Sequence, residues 1–233
     1  MRVVFIAKVP KLALEPGLME DAAAARHYRG LYAVSDGASE SYGSAAWART
    51  LVTRFVNNPG VGATWVTAAI KEYNSRFNRE AMSWSAQAAF DRGSFATLLG
   101  VRISGDRARV LGVGDSLAVL VSDGRLTASF PYRDAEQFKA HPVLLSTVPE
   151  KNAALLVPGT TKRLTTNWSL KGLKAPTILM MTDALGAWLL ADPDIRLQCL
   201  LSLPSRTAFA ALVDNERAAE TMRRDDSTLL RLE

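Results

Sequence analysis

Cysteine is almost missing from this chain: Cys199 is the only one, and a single thiol cannot form an internal disulfide. Histidine occurs only twice, at His27 and His141, and each reads more readily as a surface or satisfied core group than as a metal ligand. No apolar run approaches the length of about 18 residues that a transmembrane helix needs, which argues against a membrane span. The basic residues are dispersed, with no dense Lys/Arg cluster and no interleaved stacking aromatics, so a nucleic-acid role finds no support. Nor does the chain open with a charged start, an apolar core and a cleavage site, and a cytoplasmic location is expected. Internal repeats and low-complexity tracts are also lacking.

What the chain does contain is enough apolar material for a core. Of its 233 residues 48% are hydrophobic, which suits one domain spanning residues 1–233. The net charge of +5, from 28 Lys and Arg against 23 Asp and Glu, is compatible with phosphorylated or otherwise acidic partners. Residues 3–6 and 30–34 predict buried strands. Trp47, Leu51 and Phe55, then Val66, Ala69, Ile70, Tyr73 and Phe77, recur at helical spacing and predict two amphipathic helices over one face of a sheet.

Residues 94–103, 108–122 and 125–130 are β-like runs parted by Ser104-Gly105-Asp106 and Asp123-Gly124, which predicts an antiparallel meander. Pro131, Pro142, Pro149, Pro158 and Pro176 interrupt the next stretch, and Lys139, Lys151, Lys162, Arg163, Lys171 and Lys174 are spread through it. Residues 131–176 are therefore expected to form a mobile, basic, flap-like insert. Beyond it, 177–181 reads as a buried strand, 184–190 as a helix, Asp192 and Ser205 as helix caps, and 227–232 as a last strand. This order argues for an α+β domain with much antiparallel pairing, not a doubly wound parallel sheet.

Acidic stretches stand far apart, at Glu20-Asp21, Asp36-Gly37, Asp183-Ala184 and Asp225-Asp226, and three adjoin β-forming runs, so that carboxylates fall where strands end. Magnesium and manganese want several oxygen ligands, and no single loop here carries enough carboxylates to hold one. A fold that gathers these loops into a cleft would supply a shared metal site. Taken singly, each acid has a plainer reading. Asp-Gly is a common turn pair, Glu20-Asp21 can open a helix, and Asp225-Asp226 can pair with Arg223 and Arg224. Taken together, they favour the metal.

Five motifs occur in one order: Val34-Ser35-Asp36-Gly37, Gly93-Ser94-Phe95-Ala96-Thr97, Val113-Gly114-Asp115-Ser116, Thr182-Asp183-Ala184-Leu185 and Asp225-Asp226-Ser227-Thr228. From about Glu20 to Glu233 the chain resembles the PPM-type (protein phosphatase 2C-like) metal-dependent serine/threonine phosphatases. The resemblance implies a four-layer α/β/β/α sandwich of two antiparallel sheets flanked by helices, with a centre for two Mn2+ or Mg2+ ions at one end. By matching position it implies that Asp36 bridges the ions and that Asp183 and Asp225 complete one site. Glu20 and the carbonyl of Gly37 would contribute to the other, and Asp21 would support the cluster. Asp115 matches the acid that in many members holds a more weakly bound third ion.

Two ions about 3.5–4 Å apart can activate a water and neutralise a phosphoryl group during in-line attack, so no serine or cysteine nucleophile is required. Asp36 and Asp183 are the expected catalytic residues. The activity that the resemblance implies is hydrolysis of phosphoserine and phosphothreonine on a phosphorylated protein substrate, by a monomer working opposite a Ser/Thr kinase.

The departures from the family pattern matter as well. The arginine expected five residues before Asp21 is Pro16 here, which removes a phosphate clamp. Lys8, Lys11 and Arg26 are the candidate replacements, although lysine offers a point charge in place of a bidentate fork. Ala38 stands where some members carry a histidine after Asp-Gly, which leaves protonation of the leaving group to water. Ala184 replaces a glycine, a constraint if the turn needs positive φ. These departures prompt the alternative reading, a pseudophosphatase that binds a phosphorylated partner or regulates a kinase without turnover.

Overall fold

Strands that are apolar on both faces must be covered on both sides, and that requirement sets the layers of this protein. The computed structural model describes residues 1–12, 15–157 and 159–233; Pro158 and the side chain of Pro16 lie outside the described residues. The chain runs through β1 (Val3–Val9), β2 (Ala22–Arg26), β3 (Leu31–Ser35), α1 (Ser44–Asn57), α2 (Ala63–Asn74) and α3 (Trp84–Arg92). Next come β4 (Phe95–Ala96), β5 (Leu98–Ser104), β6 (Arg107–Val113), β7 (Leu117–Ser122), β8 (Arg125–Phe130), β9 (Leu145–Ser146), α4 (Thr160–Arg163) and β10 (Thr165–Ser169). It ends with β11 (Thr177–Met181), α5 (Asp183–Ala191), α6 (Pro193–Leu201), α7 (Arg206–Ala218) and β12 (Ser227–Leu232).

Among the described residues ten strands form two antiparallel sheets, one in the order β1-β12-β11-β7-β8 and the other β10-β6-β5-β3-β2, while β4 and β9 make a short ladder of their own. Side chains alternate along each strand. Tyr32, Val34, Leu99, Val101 and Val110 of the second sheet cluster with Ala118, Leu120, Ile178, Met180, Leu230 and Leu232 of the first. Their neighbours point outward. Leu31, Ala33, Leu98 and Leu111 pack with Trp47, Leu51 and Phe55 of α1 and Trp65, Val66 and Ile70 of α2. On the other side Leu117, Val119, Leu179, Met181 and Leu229 pack with Leu185, Trp188 and Leu189 of α5, Leu197 and Leu200 of α6, and Phe209 and Val213 of α7. The expected α/β/β/α sandwich is what forms. Each large apolar side chain so buried contributes about 1.5–3 kcal/mol before the entropy of ordering it is counted.

Local chemistry fixes the helix ends. Asp192 and Ser205 cap α6 and α7, with Ser205 Oγ accepting the Ala208 N–H at 3.1 Å. Helix α1 approaches β5 closely because Gly100 lies under it: a Cβ there would stand 2.3 Å from the ring of Phe55.

Three local readings are corrected. The apolar run 108–122 is not one strand: it breaks at Gly114-Asp115-Ser116, and the chain passes there from the second sheet to the first. Two hairpins in different sheets therefore replace the single meander. Residues 3–6 are only partly buried, Val4 being 38% exposed, because β1 is an edge strand. Helix α3 was not foreseen; none of its residues is fully buried, so it carries no apolar stripe to read. Within 131–176, β10 pairs with β6 from Thr165 to Ser169. Among the described residues no helix is long and apolar enough to cross a membrane.

Candidate metal centre

Asp36 follows β3 directly, and its loop is pinned to the β4–β5 segment. The Asp36 N–H donates to Thr97 Oγ1 at 2.8 Å, the Thr97 N–H returns to the Asp36 carbonyl at 2.9 Å, and Ser35 Oγ donates to the Thr97 carbonyl at 2.5 Å. Thr97 Oγ1 also meets Ser116 Oγ at 2.7 Å, which joins the loop carrying Asp115 to the loop carrying Asp36. Two of the motifs read from the sequence thus hold carboxylates in place. Gly37 is required by close approach, for a Cβ would fall 2.9 Å from the Ser44 backbone and 3.0 Å from the Glu20 carbonyl oxygen.

Asp183 opens α5, where the partial positive charge of a helix N-terminus favours a carboxylate, and its Oδ1 accepts the Ala184 N–H at 2.5 Å. Ala184 is itself helical with negative φ, so alanine in place of glycine imposes no strain here. Asp225 lies in the bend before β12 and accepts the Asp226 N–H at 2.9 Å.

Asp36, Gly37, Asp115, Asp183 and Asp225 line one cleft of about 490 Å³ at the end of the sandwich where β3, β6 and β11 stop and β12 starts. Asp21 is buried, 4% exposed; its Oδ2 accepts hydroxyls from Thr182 at 3.0 Å and Thr228 at 2.6 Å, and its Oδ1 has no hydrogen-bond partner. A separate cavity of about 130 Å³ at Phe55, Val61, Arg102 and Arg109 has no carboxylate in its lining.

The electrostatics of the cleft follow from crowding carboxylates together out of water. Burial, then repulsion from Asp21, Asp183, Asp225 and Asp115, holds Asp36 well above the usual carboxylate range. Burial lifts Asp21 to about 7, with the hydroxyls of Thr228 and Thr182 opposing and Asp226 and Asp183 adding. Burial and then Asp183 raise Asp115 to about 6, and the same two causes raise Asp225. Such a set of hard oxygen donors, with an unpartnered buried oxygen on Asp21, suits Mn2+ or Mg2+. In this arrangement, among the described residues, no three acidic, histidine or cysteine side chains are grouped tightly enough to hold one ion. Arg223 intervenes: its Nη2 donates to Asp183 Oδ2 and, at 3.2 Å, to Asp225 Oδ2.

Not every expected ligand faces the cleft. Glu20 turns to Lys11 Nζ, 2.7 Å from its Oε2, and to the Ser44 hydroxyl, and these partners outweigh burial and lower its pKa. The three candidates for the missing arginine are corrected by the geometry. Lys8 donates to the Asp21 carbonyl at 2.9 Å, and Lys11 is engaged by Glu20 and, at 2.5 Å, by Ser39. Arg26 sits at the far end of β2, its guanidinium 5.7 Å from the Tyr28 ring centroid. Sequence reasoning weighed Arg223 only as a salt-bridge partner of Asp225-Asp226, and set His141 aside as a surface or core group. Both line the cleft. It also missed the work of Asp226, whose Oδ1 accepts the Lys11 N–H at 2.7 Å and whose Oδ2 accepts the Glu20 N–H at 2.6 Å.

Neither a protein-family model nor a curated protein matches the chain by sequence. Solved structures do match it by shape. The photosystem II phosphatase PBCP aligns with a TM-score of 0.59 at 14% identity, over 97% of each chain. The catalytic domain of the serine/threonine phosphatase PstP in complex with two manganese ions gives 0.52 at 18% identity, over 98% of this chain and 97% of that one. The PPM Ser-Thr phosphatase MsPP from Mycobacterium smegmatis, in complex with cacodylate, gives 0.52 at 18% identity, over 100% and 99%. The fold of this chain is that of the PPM-type Ser/Thr phosphatases.

Proposed function

We propose that this chain is a metal-dependent phosphatase that hydrolyses phosphoserine and phosphothreonine on proteins, as a single domain in which residues 131–176 shape access to the cleft. The observation that carries the reading is the meeting of Asp36, Asp115, Asp183 and Asp225 in one cleft. Ionised, these four carboxylates face only one guanidinium among the groups lining the cleft, and a phosphate dianion has no reason to enter until cations compensate them.

Asp36, Asp183 and Asp225 would hold one Mn2+ or Mg2+ ion, Asp36 would share a second with Gly37 once Glu20 left Lys11 and Ser44, and Asp115 would serve a third. Bound there, the ions would supply Lewis-acid activation of water and neutralisation of phosphoryl charge. The chain's own part is to fix the donors. The Thr97 and Ser116 hydroxyls keep the Asp36 and Asp115 loops in register, and the Thr182 and Thr228 hydroxyls orient Asp21 from behind. His141, at the edge of the cleft, would donate the proton that the leaving oxygen takes up.

Hydrolysis of p-nitrophenyl phosphate and of a phosphothreonine peptide, with manganese, magnesium or chelator, tests this for the wild type and Asp36→Asn. Metal-dependent turnover lost in the variant is the expected result. The position of Arg223 among the carboxylates favours a second reading, a pseudophosphatase that binds a phosphoprotein. Folded protein that binds the peptide and never turns it over would decide for it.

A further inference from the structure

Arg223 is the only lysine or arginine among the residues lining the cleft. Its guanidinium reaches over Asp183 and Asp225, its Nη2 donating to Oδ2 of each. Yet its side chain is still 58% exposed, against 10% for that of Asp183, so the arm lies over the cleft and is not packed into it. It rises from a loop residue between α7 and β12.

Resting on the phosphatase reading above, we infer that Arg223 works in two positions. Without metal it lies between Asp183 and Asp225 as their counter-cation. With metal it is displaced by the ion those two residues share, and its planar fork turns into the cleft to pair with the phosphate of the substrate.

The chemistry supports each half. A guanidinium between two carboxylates competes directly with any cation that needs the same oxygens, so the ion must displace it and binds more weakly for doing so. Once displaced, the fork offers two parallel N–H donors, which match phosphate oxygens as a lysine cannot. Among the described residues lining the cleft no other cation offers that part, and Lys8, Lys11 and Arg26 are held elsewhere while position 16 is proline. Arg223 is thus a substrate-binding residue that supports the reaction only after metal has loaded.

Calorimetric titration of wild type, Arg223→Gln and Arg223→Lys with Mn2+, followed by phenylphosphonate, a monoester mimic with a non-hydrolysable P–C bond, separates the two roles. Arg223→Gln should bind Mn2+ roughly tenfold tighter and phenylphosphonate roughly tenfold weaker, the scale of one lost charge-assisted contact. Arg223→Lys should recover part of the phosphonate affinity. Circular dichroism checks that the variants fold. Manganese or phenylphosphonate affinity unchanged in Arg223→Gln overturns the inference while leaving the phosphatase reading intact. Wild-type protein that binds no manganese overturns both.

Discussion

The backbone N–H of Glu20 donates to Oδ2 of Asp226 at 2.6 Å, across 206 residues of chain. With the Lys11 N–H on the other oxygen, the Asp226 carboxylate straps the segment between β1 and β2 to the loop before β12. Asp226 is only 3% exposed, so these bonds form away from solvent.

Replacing Asp226 by alanine leaves two backbone donors without an acceptor. Each such loss costs about 1–3 kcal/mol, so urea unfolding should show Asp226→Ala destabilised by several kcal/mol. Asp226→Asn keeps one oxygen and should lose roughly half as much. Equal stability of the two variants would count against the strap.

Asp36→Asn should separate stability from activity. Asp36 is crowded by four other carboxylates, and a neutral amide of the same shape relieves that repulsion. The metal-free variant should melt higher than metal-free wild type, by about 2–4 °C for each kcal/mol relieved. Turnover should vanish, together with the rise in melting temperature that manganese gives the wild type. A lower melting point in chelator would show that the repulsion is not felt.

The pH dependence of the metal-free protein should run opposite to that of carboxylates whose partners lower their pKa. Asp21 is lifted from 3.8 to about 7 and Asp115 to about 6, so between pH 4 and 7 the folded state holds protons that the unfolded chain has released. Stability is full below the ordinary carboxylate value and is lost as pH rises through the folded values, by about 1.4 kcal/mol for each unit of displacement. Urea unfolding in chelator should give a lower midpoint at about pH 8 than at about pH 5, and manganese should remove the difference. A midpoint that rises over this range would contradict the electrostatic account.

Two glycines with positive φ offer a matched comparison. Gly114, at φ +89, has the Thr97 methyl 2.7 Å from where a Cβ would stand, whereas Gly105, at φ +54, has nothing within 4 Å. Gly105→Ala should cost only backbone strain, about 1 kcal/mol, and leave metal response intact. Gly114→Ala adds the clash, about 1–3 kcal/mol more, and displaces Asp115, so its turnover should fall most at low manganese. Equal melting curves and equal manganese titrations for the two variants would argue against this.

Much of this architecture was legible because apolar runs stop at acids: β3 ends before Asp36, β11 before Asp183, and β12 starts after Asp226. Sheet membership was not legible. Residues 108–122 are β-forming on both sides of Gly114-Asp115-Ser116, and it is there, with positive φ at Gly114, that the chain leaves one sheet for the other. Ladder partners are set by tertiary packing, which local propensity does not encode. Within the site, the aspartates could be named because five motifs stand in one order, although each acid alone reads as readily as a turn or cap. Glu20 and Arg223 were harder, since a long side chain has several partners within reach and the fold decides among them.

The break at Gly114 has a mechanical consequence. Because the chain crosses between sheets there, Asp36 hangs from the second sheet while Asp183 and Asp225 hang from the first, and Asp115 occupies the crossing itself. The cleft is a seam. An ion gripped by Asp36 and Asp183 together would rivet the two halves, and its binding energy would add to the cohesion of the sandwich. The spacing of the halves is set by the apolar side chains between them, Tyr32, Leu99, Ile178 and Met180 among them. Trimming those side chains would shift the jaws of the seam, and metal affinity would become a gauge of how tightly the layers close.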